Sequence, residues 1–207
     1  MKGLLLKDLY MMRKYMRSYL LMMAVFMGIA AMDPGNLFFV YYPCVLSGMV
    51  PTSLLGYDER SKWDAYAGTL PVTRAQIVSV KYLLGVILQL VVLVLTAVVQ
   101  GVVMLPGGDW AGYLILLEML VMVGCVSSSV TLPFMFKFGV EKGRMAYYVM
   151  IGLVCAGSGV AGSLFNSGIQ YIPGSNVVMP LLTLAAMGVY AFSWWLSIRF
   201  YEKRELK

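Results

Sequence analysis

Asp58, Glu59, Arg60, Lys62, Trp63 and Asp64 crowd into one short polar stretch between long apolar runs. Asp58 stands four residues before Lys62 and Arg60 four before Asp64, so two opposite-charge pairs support a short exposed helix that Gly68 can end. Such alternating charges with Trp63 and Tyr66 among them suit recognition more than catalysis. Two readings stand. The helix docks a soluble partner, since Trp and Tyr are enriched at interface hot spots, or it lies in the membrane interface with its aromatics at headgroup depth.

Just beyond it, Leu70-Pro71-Val72-Thr73-Arg74-Ala75-Gln76-Ile77 carries a capping signature. Thr73 is placed as N-cap, Gln76 as the N3 residue reaching back, and Val72 with Ile77 as a hydrophobic staple. The helix that follows is expected to begin near Arg74 and to run roughly 48 Å to Leu105, longer than a hydrocarbon core.

Other chemistry is largely excluded. There is no histidine, so Ser-His or Cys-His nucleophiles, His-ligated zinc and H-E-x-x-H proteases are ruled out. Cys44, Cys125 and Cys155 fall inside apolar runs without C-x-x-C spacing and read as small buried hydrophobes. No G-x-x-x-x-G-K-[ST] motif occurs, and the G-x-G-x-x-G match at Gly157 to Gly162 lies in an apolar run with no preceding strand. One carboxylate, Glu118, is flanked by Leu116, Leu117, Met119 and Leu120. It either lines a substrate path that favours a cationic group, or is a protonated or hydrogen-bonded residue near the outer boundary.

The elements that must position these residues follow from composition. The chain has 207 residues, 60% hydrophobic and 13% charged, with a net charge of +6 and a mean hydropathy of +0.80. An ordinary globular chain is about 25% charged, so a soluble single domain is excluded. We read one all-α transmembrane domain over 1–207. A hairpin of two spans covers 19–55, with Tyr19 to Met32, an Asp33-Pro34-Gly35-Asn36 turn, and Leu37 to Leu55. A coupling segment covers 57–72, and span 3 lies in 73–105, its apolar run starting at Tyr82. Span 4 follows at 110–136, span 5 at 145–165, an external loop at 166–176, span 6 at 177–200 and a tail at 201–207.

All 16 Lys and Arg fall in the N-terminal segment, the 57–81 connection, the 137–144 connection and the C-terminal stretch from Arg199 at the end of span 6 through the tail. Under the positive-inside rule both termini and those two loops are cytoplasmic, leaving only Asp33 and Asp109 outside. The cationic face is explained by topology and anionic lipid, so nucleic acid is not an expected partner. Residues 1–18 form a separate amphipathic elbow, with Leu5, Leu9, Met12 and Met16 on one stripe and Lys7, Lys14 and Arg17 on the other side toward headgroups. Gly152, Ala156, Gly159 and Ser163 make a small-residue face on span 5 that permits close helix approach.

The basic N-terminus "MKGLLLKDLYMMRKY", the six spans and above all "YDERSKWDAYAGTLPVTRAQIVSVKYL" resemble the permease subunits of ABC-2 type transporters over essentially the whole chain. Within that family the chain is most similar to the small permeases of Gram-positive bacteria, such as those of the phenol-soluble modulin exporter. The resemblance implies that the elbow is a connecting helix and that the 57–72 segment is a coupling helix seated in a groove of the ATPase. Asp58, Glu59, Arg60, Lys62, Trp63 and Asp64 would then contact that nucleotide-binding protein. It also implies a second permease subunit in a homo- or heterodimer, ATP and Mg on the partner and no cofactor here, and export of an amphipathic or hydrophobic substrate, a peptide being one candidate. Asn166 to Asn176 would form an abbreviated version of the family's outer re-entrant helices. The competing class is a six-span scaffold or secondary transporter without an ATPase. A membrane enzyme is the weakest option, since no paired carboxylates occur within the spans.

Overall fold

The computed structural model describes residues 2–15, 17–32, 37–69, 71–104, 110–140, 142–143, 145, 148–149, 152 and 175–203. Among them are seven helices and no strand. In chain order these are α1 (Lys2–Tyr15), α2 (Arg17–Met32), α3 (Leu37–Arg60), α4 (Trp63–Ala67), α5 (Arg74–Met104), α6 (Trp110–Phe138) and α7 (Ser175–Lys203).

Helices α3, α5, α6 and α7 are long and apolar enough to cross a membrane. The fifth candidate is the pair α1 and α2, bent by 73° from one another. Alone, α2 has 16 residues and reaches roughly 24 Å, short of the ~30 Å hydrocarbon core. The expected fifth span apart from residues 145, 148–149 and 152, the external loop as far as Gly174, the Gly157 to Gly162 motif, Cys155 and the turn at Asp33 to Asn36 lie outside the described residues. So do Ala156, Gly159 and Ser163 of the small-residue face; of that face only Gly152 is described.

Proline inside a helix removes one backbone bond and frees the carbonyl four residues earlier. Within a membrane such a carbonyl needs another donor. In α6, Pro133 frees the Ser129 carbonyl, and Ser193 Oγ of α7 donates to it at 2.7 Å. The single Ser193 proton is thereby used, so the Tyr82 hydroxyl of α5, 2.8 Å away, donates to Ser193 Oγ. Ser197 Oγ then donates to Tyr82 at 2.7 Å, and a neutral hydroxyl chain joins α7, α5 and α6. Tyr190, Ser193, Trp194 and Ser197 share one face of α7 by their spacing. Tyr190 donates to the Tyr82 carbonyl at 2.9 Å, while Trp194 stacks on the Tyr82 ring at 5.7 Å and donates to Ser79 Oγ at 3.1 Å.

At mid-depth Gln89 wedges between α3, α5 and α6. Its Oε1 accepts from Ser47 Oγ at 2.5 Å and its Nε2 donates to the Leu120 carbonyl at 3.2 Å. A Cβ on Gly124 would overlap that amide, so a larger residue there would have to displace the end of the Gln89 side chain. Two apolar clusters result. One gathers Met23, Val40, Leu54, Leu84 and Leu120 from α2, α3, α5 and α6. The other gathers Leu4, Ala67, Ile77, Val78, Phe136 and Tyr201 where α1 and α4 meet the ends of α5, α6 and α7. The outward faces of α5 and α7, with Leu90, Val94, Val98, Leu184 and Phe192, stay exposed and apolar, as a hydrocarbon-facing surface requires.

Candidate coupling site

The chain ends of α3 and α5 converge on α1. Lys7 and Asp8 of α1, Asp58 of α3 and Lys81 of α5 form a closed ring of alternating charge. Lys7 Nζ lies 3.2 Å from Asp8 Oδ1 and 2.7 Å from Asp58 Oδ1. Lys81 Nζ lies 2.8 Å from Asp8 Oδ2 and 2.6 Å from Asp58 Oδ2. Two carboxylates and two ammonium groups leave the ring neutral, the condition under which charges this deeply placed are tolerated. Lys81 meets the carboxylates as ion contacts rather than as well-angled hydrogen bonds. Lys7 donates a hydrogen bond to Asp58 Oδ1, and on the Lys81 side the ring holds by Coulomb attraction.

This arrangement corrects two expectations. Asp58 does not pair with Lys62 on an exposed helix; it is 3% exposed and belongs to the last turn of α3. The long-range cations Lys7 and Lys81 outbid Lys62, because a desolvated pair attracts more strongly than one in water. Lys62 takes a φ of 53°, a left-handed conformation that ends α3, and the separate helix α4 is five residues long. Lys7 likewise does not face headgroups with Lys14; it turns inward to the ring and places its ammonium 4.0 Å from the centre of the Trp63 ring.

The remaining residues of the segment face outward or sideways. Arg60, Lys62 and Tyr66 are exposed. Glu59 reaches sideways, its Oε2 accepting from Val140 N at 2.8 Å. That amide opens the helical turn which resumes after Gly139, itself at a φ of 83°, so the carboxylate caps a helix start. Trp63 packs against the apolar cluster at this end and tilts against Tyr66 at 5.3 Å; Asp64 lies in α4.

The entry into α5 is built as a capping box. Gln76 N donates to Thr73 Oγ1 at 3.3 Å, and Thr73 N donates to Gln76 Oε1 at 3.2 Å. Val72 and Ile77 both join the apolar cluster there. One residue into α5, Arg74 Nη1 donates to the carbonyls of Tyr201 at 3.3 Å and Glu202 at 3.0 Å, satisfying the orphan end of α7. The segment from Tyr57 to Lys81 is thus tied to α1 by Lys7 and Asp8, to the chain beyond α6 by Glu59, and to α7 by Arg74.

A family model described as ABC-2 family transporter protein matches residues 3–202. The chain belongs to the ABC-2 transporter family. Neither a curated protein nor a solved structure matches it. The ABC-2 permease is a membrane transport component whose ATP hydrolysis lies on a separate subunit, and the family normally works with an ABC ATPase partner.

Glu118 stands apart from the permease's charged end. It is half-buried on α6 and does not line the cavity of about 180 Å³ that opens between α5, α6 and α7 beside Gln89, Gly124, Cys125 and Tyr190. Lys7, Asp8 and Lys81 are the site residues that sequence reasoning passed over. Their signal was faint. Asp8 falls four residues after Leu4 on the flank of an apolar stripe, and Lys81 sits between Val80 and Tyr82 in an otherwise apolar run.

Proposed function

We propose that this permease is the membrane half of an ATP-driven exporter and that its ATPase docks on α4 and the residues beside it. The observation that carries this reading is the anchoring of the segment. A five-residue helix has little stability of its own, yet its two flanks are fastened to α1, to Val140 and to α7 by Lys7, Glu59 and Arg74. Arg60, Lys62, Trp63, Asp64 and Glu59 form the docking face, and Asp58 supports it from behind. The Thr73–Gln76 cap makes the start of α5 rigid, so a push on α4 acts on a long strut rather than on a loop. The charged end and both termini face the cytoplasm across a bacterial cell membrane, as the distribution of Lys and Arg favours.

The substrate is amphipathic or hydrophobic, a short peptide by the resemblance to small Gram-positive permeases, and two permease chains share two ATPases. Lateral entry from the inner leaflet fits the apolar exposed faces and the cavity beside Gln89, whose lining carries no fixed charge. ATP and Mg bind on the partner.

Co-purification with an ABC ATPase subunit tests the docking face. Arg60→Glu with Lys62→Glu is expected to weaken the complex about tenfold or more, because like charges brought together at an interface are costly. An unchanged affinity together with unchanged permease-stimulated hydrolysis overturns the assignment. For Glu118, transport and stability that survive Glu118→Gln remove it from the substrate path.

A further inference from the structure

The four-charge ring is lopsided. The side chains of Asp8, Asp58 and Lys81 are 1%, 5% and 2% exposed, but that of Lys7 is 23%. Among the described residues, Lys81 has only the two carboxylates as ionic partners of its ammonium. Lys7 instead meets three elements at once: Asp8 on its own helix, Asp58 on α3, and the face of Trp63 on α4. A clamp between α1, α3 and α5 needs no contact with α4.

Helix α4 needs one. It follows a left-handed residue, Lys62, and is too short to hold its own shape. Its purchase on the body of the protein is Trp63 and Ala67 in the apolar cluster, together with the Lys7 ammonium over the Trp63 ring. The negative face of an indole attracts a cation most strongly when both are shielded from water. The two carboxylates aim that cation.

We propose that Lys7 is a positioning residue for α4: its ammonium, held by Asp8 and Asp58, fixes Trp63 and so passes any displacement of α4 to α1 and α3 through one side chain. The consequence for transport rests on α4 being the ATPase contact; the positioning itself is a property of this chain alone.

The test uses the full chain in lipid nanodiscs, labelled with 5-fluorotryptophan. Its four tryptophans give separate fluorine resonances, and Trp63→Phe assigns one of them. Lys7→Met leaves the ring with a net negative charge and can fail to fold. Lys7→Met with Asp8→Asn avoids this, since Asp58 and Lys81 remain as a neutral pair. In that double variant the Trp63 resonance should shift while those of Trp110, Trp194 and Trp195 stay. Amide exchange across Trp63 to Ala67 should rise roughly tenfold, the scale of one shielded cation–π contact. Lys7→Arg, which keeps a cation over the ring, should restore both readings. An unmoved Trp63 resonance with unchanged exchange in the neutral double variant overturns the proposal.

A second arm adds the partner ATPase and measures permease-stimulated hydrolysis. Stimulation should fall in the double variant and return with Lys7→Arg. A shifted resonance with undiminished stimulation overturns transmission through Lys7. Absence of stimulation in the unaltered protein is instead a failure of the ATPase reading, and the fluorine arm then decides Lys7 by itself.

Discussion

Lys81 and Tyr82 are consecutive residues of α5, both buried, and each opens on a different polar network. One residue is about 100° of helix turn. Lys81 therefore points to α1 and α3, where it meets two carboxylates, and Tyr82 points to α6 and α7, where it meets two serine hydroxyls. Depth does not separate the two networks. What separates them is the neighbour behind. Helix α1 brings its own charges, so a neutral ring can close there; α7 has most of its other face exposed and apolar, and an ion on that side would stand close to hydrocarbon at a cost of several kcal/mol. Neutral hydroxyls give directional contacts without that penalty. Helix α5 is the common strut, fixed by charge on one side and by hydrogen bonds on the other.

Breaking the charged side should have the largest effect. Lys81→Met leaves Asp8 and Asp58 facing each other with Lys7 alone to balance them, and removing one partner of a buried ion network costs about 3–5 kcal/mol. Thermal unfolding in detergent should show a loss of folded protein or a drop in midpoint far beyond that of any single hydroxyl deletion. Lys81→Met joined to Asp8→Asn restores neutrality and should recover much of the loss. A mild effect of Lys81→Met would mean that the ring is hydrated and loosely held.

The neutral side is probed next at its tightest point. At Gly124 even a methyl group overlaps the Gln89 amide, so Gly124→Ala must push Gln89 off Ser47 and Leu120. The Gln89 end is free to swing, so the cost is that of its two lost hydrogen bonds, about 1–3 kcal/mol. Pairing it with Gln89→Ala should relieve the clash, and a double variant no better than Gly124→Ala would show that the strain lies elsewhere. Gln100 supplies the opposite sign: it is fully buried, and among the described residues both its amide atoms are unpartnered. Gln100→Leu is expected to raise the unfolding midpoint, by an amount corresponding to about 1–3 kcal/mol of relieved desolvation.

The contrast also explains what could be read from the chain beforehand. Long apolar helices at 37–60, 74–104, 110–138 and 175–203 follow from local hydropathy, and the Thr73–Gln76 cap from a spacing of three. Both signals are contained within a few turns. The ring was not legible, because its members come from three helices and the Lys7–Asp58 contact spans 51 residues. Local spacing even misled: Asp58 and Lys62 stand at the right interval for a pair, but the buried cations win. The hydroxyl chain lay in between. Tyr190, Ser193, Trp194 and Ser197 recur at helical spacing in an apolar span, a polar stripe that marks an inward face; which helix it meets depends on packing.

The smallest effect tests whether the hydroxyl chain exists to satisfy a proline. Ser193→Ala removes the donor to the Ser129 carbonyl and should cost about 1–2 kcal/mol, the penalty of leaving one buried acceptor unmade. Pro133→Ala gives that carbonyl a backbone donor again, because an alanine amide at 133 can bond four residues back. In the Pro133→Ala background the same Ser193→Ala change should therefore cost less than half as much. A double-variant cycle on unfolding free energy measures the difference directly. If Ser193→Ala costs the same in both backgrounds, the serine serves Tyr82 rather than the proline, and the chain must be read in the reverse sense, with Ser193 donating to the Tyr82 hydroxyl. That outcome would leave the Ser129 carbonyl served by something other than α7, and the neutral side would then join α5 to α7 without reaching α6.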